Sequence, residues 1–143
     1  MKALAIASAI LFCIWQSTYA QKATVFEGKY LIKQGKTYES TVLIQELSDG
    51  TINFSIEAQK GPPSYNSGSL NGSFTLKSGV GKFYQNEYGE CHMKFIFTDK
   101  NLIIEALNDE SGCGFGNGVY VAGTYKKVSS KLTKREIESL SSQ

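Results

Sequence analysis

The sequence predicts an all-β chain folded as a small eight-stranded antiparallel up-and-down barrel, followed by a short C-terminal helix. Three observations carry this prediction. Apolar and polar residues alternate with period two along most of the chain, as in strands with one buried face. Short turn-forming segments separate the alternating runs, which forces neighbouring strands to be antiparallel. No stretch before residue 130 has a helical period. Eight short strands with one apolar face hide their edges by closing on themselves, although a two-sheet β-sandwich satisfies the same alternation. The 143 residues suffice for one domain, and 41% hydrophobic with 20% charged residues is a globular balance.

Residues 1–20 read as a secretory signal peptide. Met1-Lys2 supplies a positive start, residues 3–14 are uncharged and apolar, and Thr18-Tyr19-Ala20 ends in the small residues that signal peptidase recognises. The apolar run falls well short of the roughly 20 residues that span a bilayer, so no stable membrane insertion is expected. Cys13 follows Phe12 rather than a small residue, which argues against a lipid anchor. Cleavage before Gln21 would send the chain to the periplasm or the medium. It would also leave two cysteines, Cys91 and Cys113, and an even pair in an exported chain reads as a disulfide.

The barrel is expected within residues 21–128. The clearest alternation covers 51–58, 69–77 and 90–98, and weaker signals cover 25–33, 39–47, 80–85, 101–107 and 119–126. The inferred inner face carries Phe26, Tyr30, Ile52, Phe54, Ile56, Phe74, Leu76, Met93, Phe95 and Phe97. Ser48-Asp49-Gly50, Ser78-Gly79-Val80-Gly81 and Asp99-Lys100-Asn101 supply tight turns. The first strand reads Phe26-Glu27-Gly28-Lys29-Tyr30 and the last Val121-Ala122-Gly123-Thr124-Tyr125. A closed barrel would make these two similar strands neighbours, with a glycine easing the close approach on each.

Residues 129–143 form a basic tail. Thr133 and Glu136 have the spacing of a capping box, with Leu132 and Ile137 placed as a hydrophobic staple, so a short helix should run from Lys134 to about Leu140.

The cysteine pair is the strongest constellation. A tight turn at residues 99–101 would pair residues whose numbers sum to about 200, setting Cys91 opposite residue 109 or so. The glycine-rich segment 108–118 can then fold Cys113 back onto it. Such a bond closes a loop of about 20 residues and is worth roughly 3 kcal/mol.

Other chemistry is poorly supplied. A haem site at Cys91-His92 would need cysteine where Tyr88 stands, and two cysteines with one histidine make no metal set. His92 and Cys91 point to opposite faces of their strand, so they cannot form a nucleophile pair. The glycines around Cys113 lack the strand-to-helix setting of a dinucleotide loop. Glu87, Glu90, Asp109 and Glu110 read as solvated loop charges rather than an acid–base pair, and no cofactor is implied. A net charge of +2 gives no case for nucleic acid. Asn53-Phe54-Ser55 and Asn71-Gly72-Ser73 match the N-glycosylation pattern in a eukaryotic setting.

The early Gly-x-Tyr, the run Cys91-His92-Met93-Lys94-Phe95-Ile96-Phe97, the segment Cys113-Gly114-Phe115-Gly116 and the closing Gly123-Thr124-Tyr125 together resemble small exported bacterial β-proteins. Some of these are grouped with envelope lysozyme inhibitors. The resemblance spans Phe26 to Lys127. It implies an exported barrel acting on a partner, but assigns no inhibitory residue: the Ser-Gly-x-Arg-Tyr segment of the better-defined inhibitors is missing, and the only arginine is Arg135.

These readings lead to an exported, non-enzymatic binding protein that acts through its loops, as an inhibitor or an envelope-associated factor, on a protein or glycan partner. Three loops stand out: 59–68 with Tyr65, 84–90 with Tyr84 and Tyr88, and 111–118 with Phe115. Tyrosine and phenylalanine among Gly, Asn and Ser suit such contacts. The alternative is a carrier holding a small apolar ligand inside the barrel. The sequence sets no oligomeric state.

Overall fold

The computed structural model describes residues 25–141, so the signal expected at 1–20 lies outside the described residues. Eight antiparallel strands form a nearly closed barrel: β1 Gly28–Gln34, β2 Tyr38–Glu46, β3 Thr51–Lys60, β4 Ser67–Thr75, β5 Val80–Gln85, β6 Cys91–Phe97, β7 Asn101–Ala106 and β8 Gly123–Ser129. A single turn of 3-10 helix spans Glu110–Cys113, and helix α1, Lys134–Ser141, follows the barrel.

The sheet order is β4-β3-β2-β1-β8-β7-β6-β5. The first and last strands are neighbours as expected, with a register shift between Lys29 and Tyr30. Strands β4 and β5 are the two ends of the order. Among the described residues they share no ladder, only a bridge at Lys77 and Val80 in the turn that joins them. Side chains fill this seam. Gly72 and Gly81 point inward, and a Cβ on either would strike an aromatic ring from the opposite strand: Phe83 over Gly72 and Phe74 over Gly81. Glycine is required at both because a ring already occupies the space a side chain would need.

The rings continue into the core. Phe54 meets Phe83 edge-on at 5.0 Å and Phe95 at 4.8 Å, and Phe74 lies 4.6 Å from Phe95. Pairs at these separations add roughly 0.5–1.5 kcal/mol beyond the area they bury. Around them Val42, Ile44, Ile52, Ile56, Met93, Leu102 and Ile104 are fully buried. Every inner-face residue read from the sequence points inward, with Phe26 and Leu76 only partly covered. The interior is packed with side chains.

The two Gly-x-Tyr segments perform the same task at opposite rims. The Tyr30 phenol donates to the carbonyl of Phe26, and the Tyr125 phenol to that of Val121, both at 2.8 Å and both four residues back. In each case a carboxylate accepts the backbone N–H of the first residue of the motif: Glu46 at Phe26 (3.3 Å) and Glu110 at Val121 (2.6 Å). At one rim Phe26 stacks on Phe97 at 5.0 Å and closes the barrel.

Most strand ends move by one to three residues from the sequence reading, and the starts of the first and last strands move furthest. Strand β1 begins at Gly28 and β8 at Gly123, not at 25 and 119. Val119 and Val121 are buried as alternation requires, but the backbone around Val121 bonds to the Glu110 side chain instead of a neighbouring strand. Alternation reports burial and does not reveal what accepts the backbone N–H.

Helix α1 has the expected capping box, with Thr133 N–H donating to Glu136 Oε2 at 2.8 Å and Glu136 N–H to Thr133 Oγ1 at 3.3 Å. It docks on the outside of the barrel. Leu140 is buried there, beside Gln45, Leu47 and Asn53, and Lys29 reaches Glu136 at 3.4 Å.

Candidate binding rim

Strand direction sorts the connections by length. The turns at 47–50, 76–79 and 98–100 lie at one rim, with the start of β1 and the end of β8. At the other lie the turn 35–37 and the three long connections 61–66, 86–90 and 107–122. All three loops singled out in the sequence therefore converge on one rim.

The longest connection is tied down as a lid. Cys91 and Cys113 form the expected disulfide with Cα atoms 4.8 Å apart, both fully buried. The β6–β7 register sums to 199, setting Asn108 opposite Cys91. There Asn108 accepts from His92 N–H at 2.9 Å and donates to the Glu90 carbonyl at 2.7 Å. The 3-10 turn after Asp109 then brings Cys113 back over β6. Further along, Gln85 donates to the Gly112 carbonyl (3.0 Å), Asn66 to the Asn117 carbonyl (2.7 Å) and Gly116 N–H to the Ser67 carbonyl (3.2 Å). The three loops are one interlocked unit.

Glu110 corrects the sequence reading, which placed it among solvated charges. It is 7% exposed, and its two carboxylate oxygens accept from Val121 N–H and Ala122 N–H at 2.6 and 3.2 Å. Burial of so polar a group is tolerated here because backbone donors satisfy both of its oxygens. Its role is to hold the lid.

The predicted loop aromatics separate in space. Tyr65 and Tyr88 are each 69% exposed. Tyr88 lies beside Gly114, and the adjacent Glu87 raises its phenol above the usual tyrosine value. Tyr84 belongs to strand β5, not to a loop; it is exposed on the outer wall and packs against His92, the ring centroids 4.4 Å apart and tilted by 60°. Phe115 turns inward, packs on the core and lies against Gly68, where a Cβ would come within 2.7 Å of Phe115 Cα. It plugs the barrel mouth.

Tyr120, 63% exposed, is a rim aromatic that the sequence reading missed. Two adjoining clefts join it to Tyr65. One, of about 370 Å3, is lined by Lys33, Lys36, Tyr38, Lys60, Pro62 and Tyr65. The other, of about 530 Å3, is lined by Gln34, Thr37, Tyr38, Lys60, Gly118 and Tyr120 among others. Tyr38 and Lys60 are common to both. The Tyr38 phenol donates to the Tyr120 carbonyl at 2.6 Å, fixing the wall between them. Tyr65 itself is held at φ +49°, a left-handed conformation unusual for a bulky residue. Its N–H donates to the Gly61 carbonyl at 3.2 Å, and Gly61 N–H donates to the Thr37 carbonyl at 2.9 Å.

No group of three or more His, Cys, Asp or Glu side chains among the described residues is placed to hold a metal ion. No helix among them is long and apolar enough to cross a membrane. No family model, curated protein or solved structure matches the chain.

Proposed function

We propose that the protein is exported to the periplasm or the medium and acts there by binding a protein or glycan, without catalysis, through the rim that carries its three long loops. One observation carries this reading: the loops interlock on a single rim and present exposed tyrosines above an interior that is already full. Binding surfaces built from rigid, pre-positioned tyrosines lose little conformational entropy on association. The buried disulfide fits an oxidising compartment. The packed aromatic core favours the rim over carriage of an apolar ligand inside the barrel. An inhibitor acting at the cell envelope is the form to which the sequence resemblance leads.

Residues 21–143, oxidised and immobilised, would be exposed to envelope extract beside two variants. One carries Tyr65→Ser, Tyr88→Ser and Tyr120→Ser; the other carries Lys100→Ser on the opposite rim. A partner kept by the wild type and by Lys100→Ser but lost by the triple variant supports the reading. Retention that ignores the three tyrosines removes it.

A further inference from the structure

We infer that the paired clefts around Tyr38 and Lys60 bind an acidic oligosaccharide, one whose sugar rings carry carboxylate or sulfate groups. The inference rests on the rim-binding reading and names the ligand class for that surface. Charge is the first argument. Lys33 is engaged by Glu39 at 2.7 Å, whereas Lys36 and Lys60 are in no ion pair among the described residues. Among the described residues Glu39 is the only carboxylate lining either cleft, and Lys33 already holds it. A ligand there meets two ammonium groups with nothing to neutralise them, and ionised donors make the strongest hydrogen bonds to anionic oxygens.

Shape and chemistry point to a sugar. Exposed rings, Tyr65 on one cleft and Tyr120 on the other, offer flat faces for the C–H surface of a pyranose. Gln34, Gln59, Thr37 and the Tyr38 phenol supply neutral hydrogen-bonding groups between them. Each cleft lies within the range typical of small-ligand sites. Lys60 stands at the junction, its amine next to Gly118, where a Cβ would come within 3.0 Å of Nζ. One ammonium can therefore serve residues of a chain lying across both clefts. The walls are fixed by the Tyr38–Tyr120 and Gly61–Thr37 hydrogen bonds, so little ordering remains for the ligand to impose.

The test is calorimetric titration of oxidised residues 21–143 with a galacturonate hexamer, with the neutral galactose hexamer and with a glutamate hexapeptide as comparisons. The acidic sugar should bind, more weakly as salt rises, and at least about tenfold more tightly than the neutral sugar or the peptide. Lys36→Ser with Lys60→Ser, and separately Tyr65→Ala with Tyr120→Ala, should each weaken it about tenfold or more. Lys100→Ser should leave it unchanged, and circular dichroism would verify that each variant folds. Absence of binding, equal binding of the neutral sugar, or tighter binding of the peptide would overturn the acidic-sugar assignment. If envelope capture still depended on Tyr65, Tyr88 and Tyr120, the rim reading would survive that failure; loss of both results would end both.

Discussion

The hydroxyl of Ser40 and the phenol of Tyr125 lie 3.0 Å apart inside the barrel, and both residues are fully buried. Their strands, β2 and β8, are separated in the sheet by β1, so the contact spans the interior instead of a ladder. Ser40 also donates to the Glu57 carbonyl at 3.2 Å and Tyr125 to that of Val121 at 2.8 Å. Each hydroxyl has one proton, so only two of the three contacts are donated hydrogen bonds at any moment, and the four groups act as one network. Tyr125→Phe leaves Val121 and Ser40 short of a partner and should cost about 1–3 kcal/mol. Tyr30→Phe loses one bond in a partly buried site and should cost about 1 kcal/mol or less. Urea denaturation of the two variants would establish the order.

Alkali should attack the same two tyrosines. Burial, reinforced at Tyr30 by the nearby Glu46, pushes the Tyr30 phenol up to about 12, and burial drives Tyr125 higher still. The fold favours their neutral forms. Their contribution is therefore complete below the ordinary tyrosine value of about 10 and is lost as pH rises beyond it. Phenolate absorbance should show these two ionising only as circular dichroism reports unfolding; early, reversible ionisation of every tyrosine would contradict this.

At the seam, Gly72→Ala and Gly81→Ala should each cost about 1–3 kcal/mol, because the new methyl displaces the ring of Phe83 or Phe74. Combining Gly81→Ala with Phe74→Leu should cost less than the two changes summed, since a smaller side chain makes room. Additive losses would mean that the ring and the glycine do not compete for one space.

Replacing both Cys91 and Cys113 with serine should lower stability by about 3 kcal/mol. Hydrogen exchange should accelerate first in residues 107–122, where the disulfide works together with the Glu110 tether. Uniform acceleration through β2 and β3 would show instead that the bond supports the whole barrel and not the lid.

The C-terminal helix should loosen in acid. Thr133, through its backbone N–H and hydroxyl, and Lys29 hold the Glu136 carboxyl below the usual glutamate value. A depressed carboxylate contributes stability above its unfolded value of about 4.3, and that contribution is lost as pH falls through the lower folded value. Amide chemical shifts of residues 134–141 should move toward coil in that window while the barrel resonances stay fixed. Thr133→Ala should produce the same loosening at neutral pH.

Strands were legible because burial on one face writes itself into every second residue, and the clean runs at Thr51 and Cys91 are the proof. The capping box and the cysteine pair were legible because each depends on local spacing. Glu110 was not, since nothing adjacent in sequence announces that its acceptors meet the backbone at Val121 and Ala122. Tyr120 was hidden for a related reason: it sits in a segment with strand-like alternation, where an outward tyrosine looks ordinary. The clefts escaped notice because Lys36, Tyr38, Lys60, Tyr65 and Tyr120 come together only when the barrel closes.

The chain enters β1 and leaves β8 at the rim with the short turns, opposite the lid, and α1 then lies against the outer wall beside that rim. A tether, tag or neighbouring domain attached at either end would hold the molecule by its blunt base, with the tyrosine-bearing crown facing outward. Orientation on a surface is thus built into the connectivity, and two such molecules could be joined end to end without either one masking the other's crown.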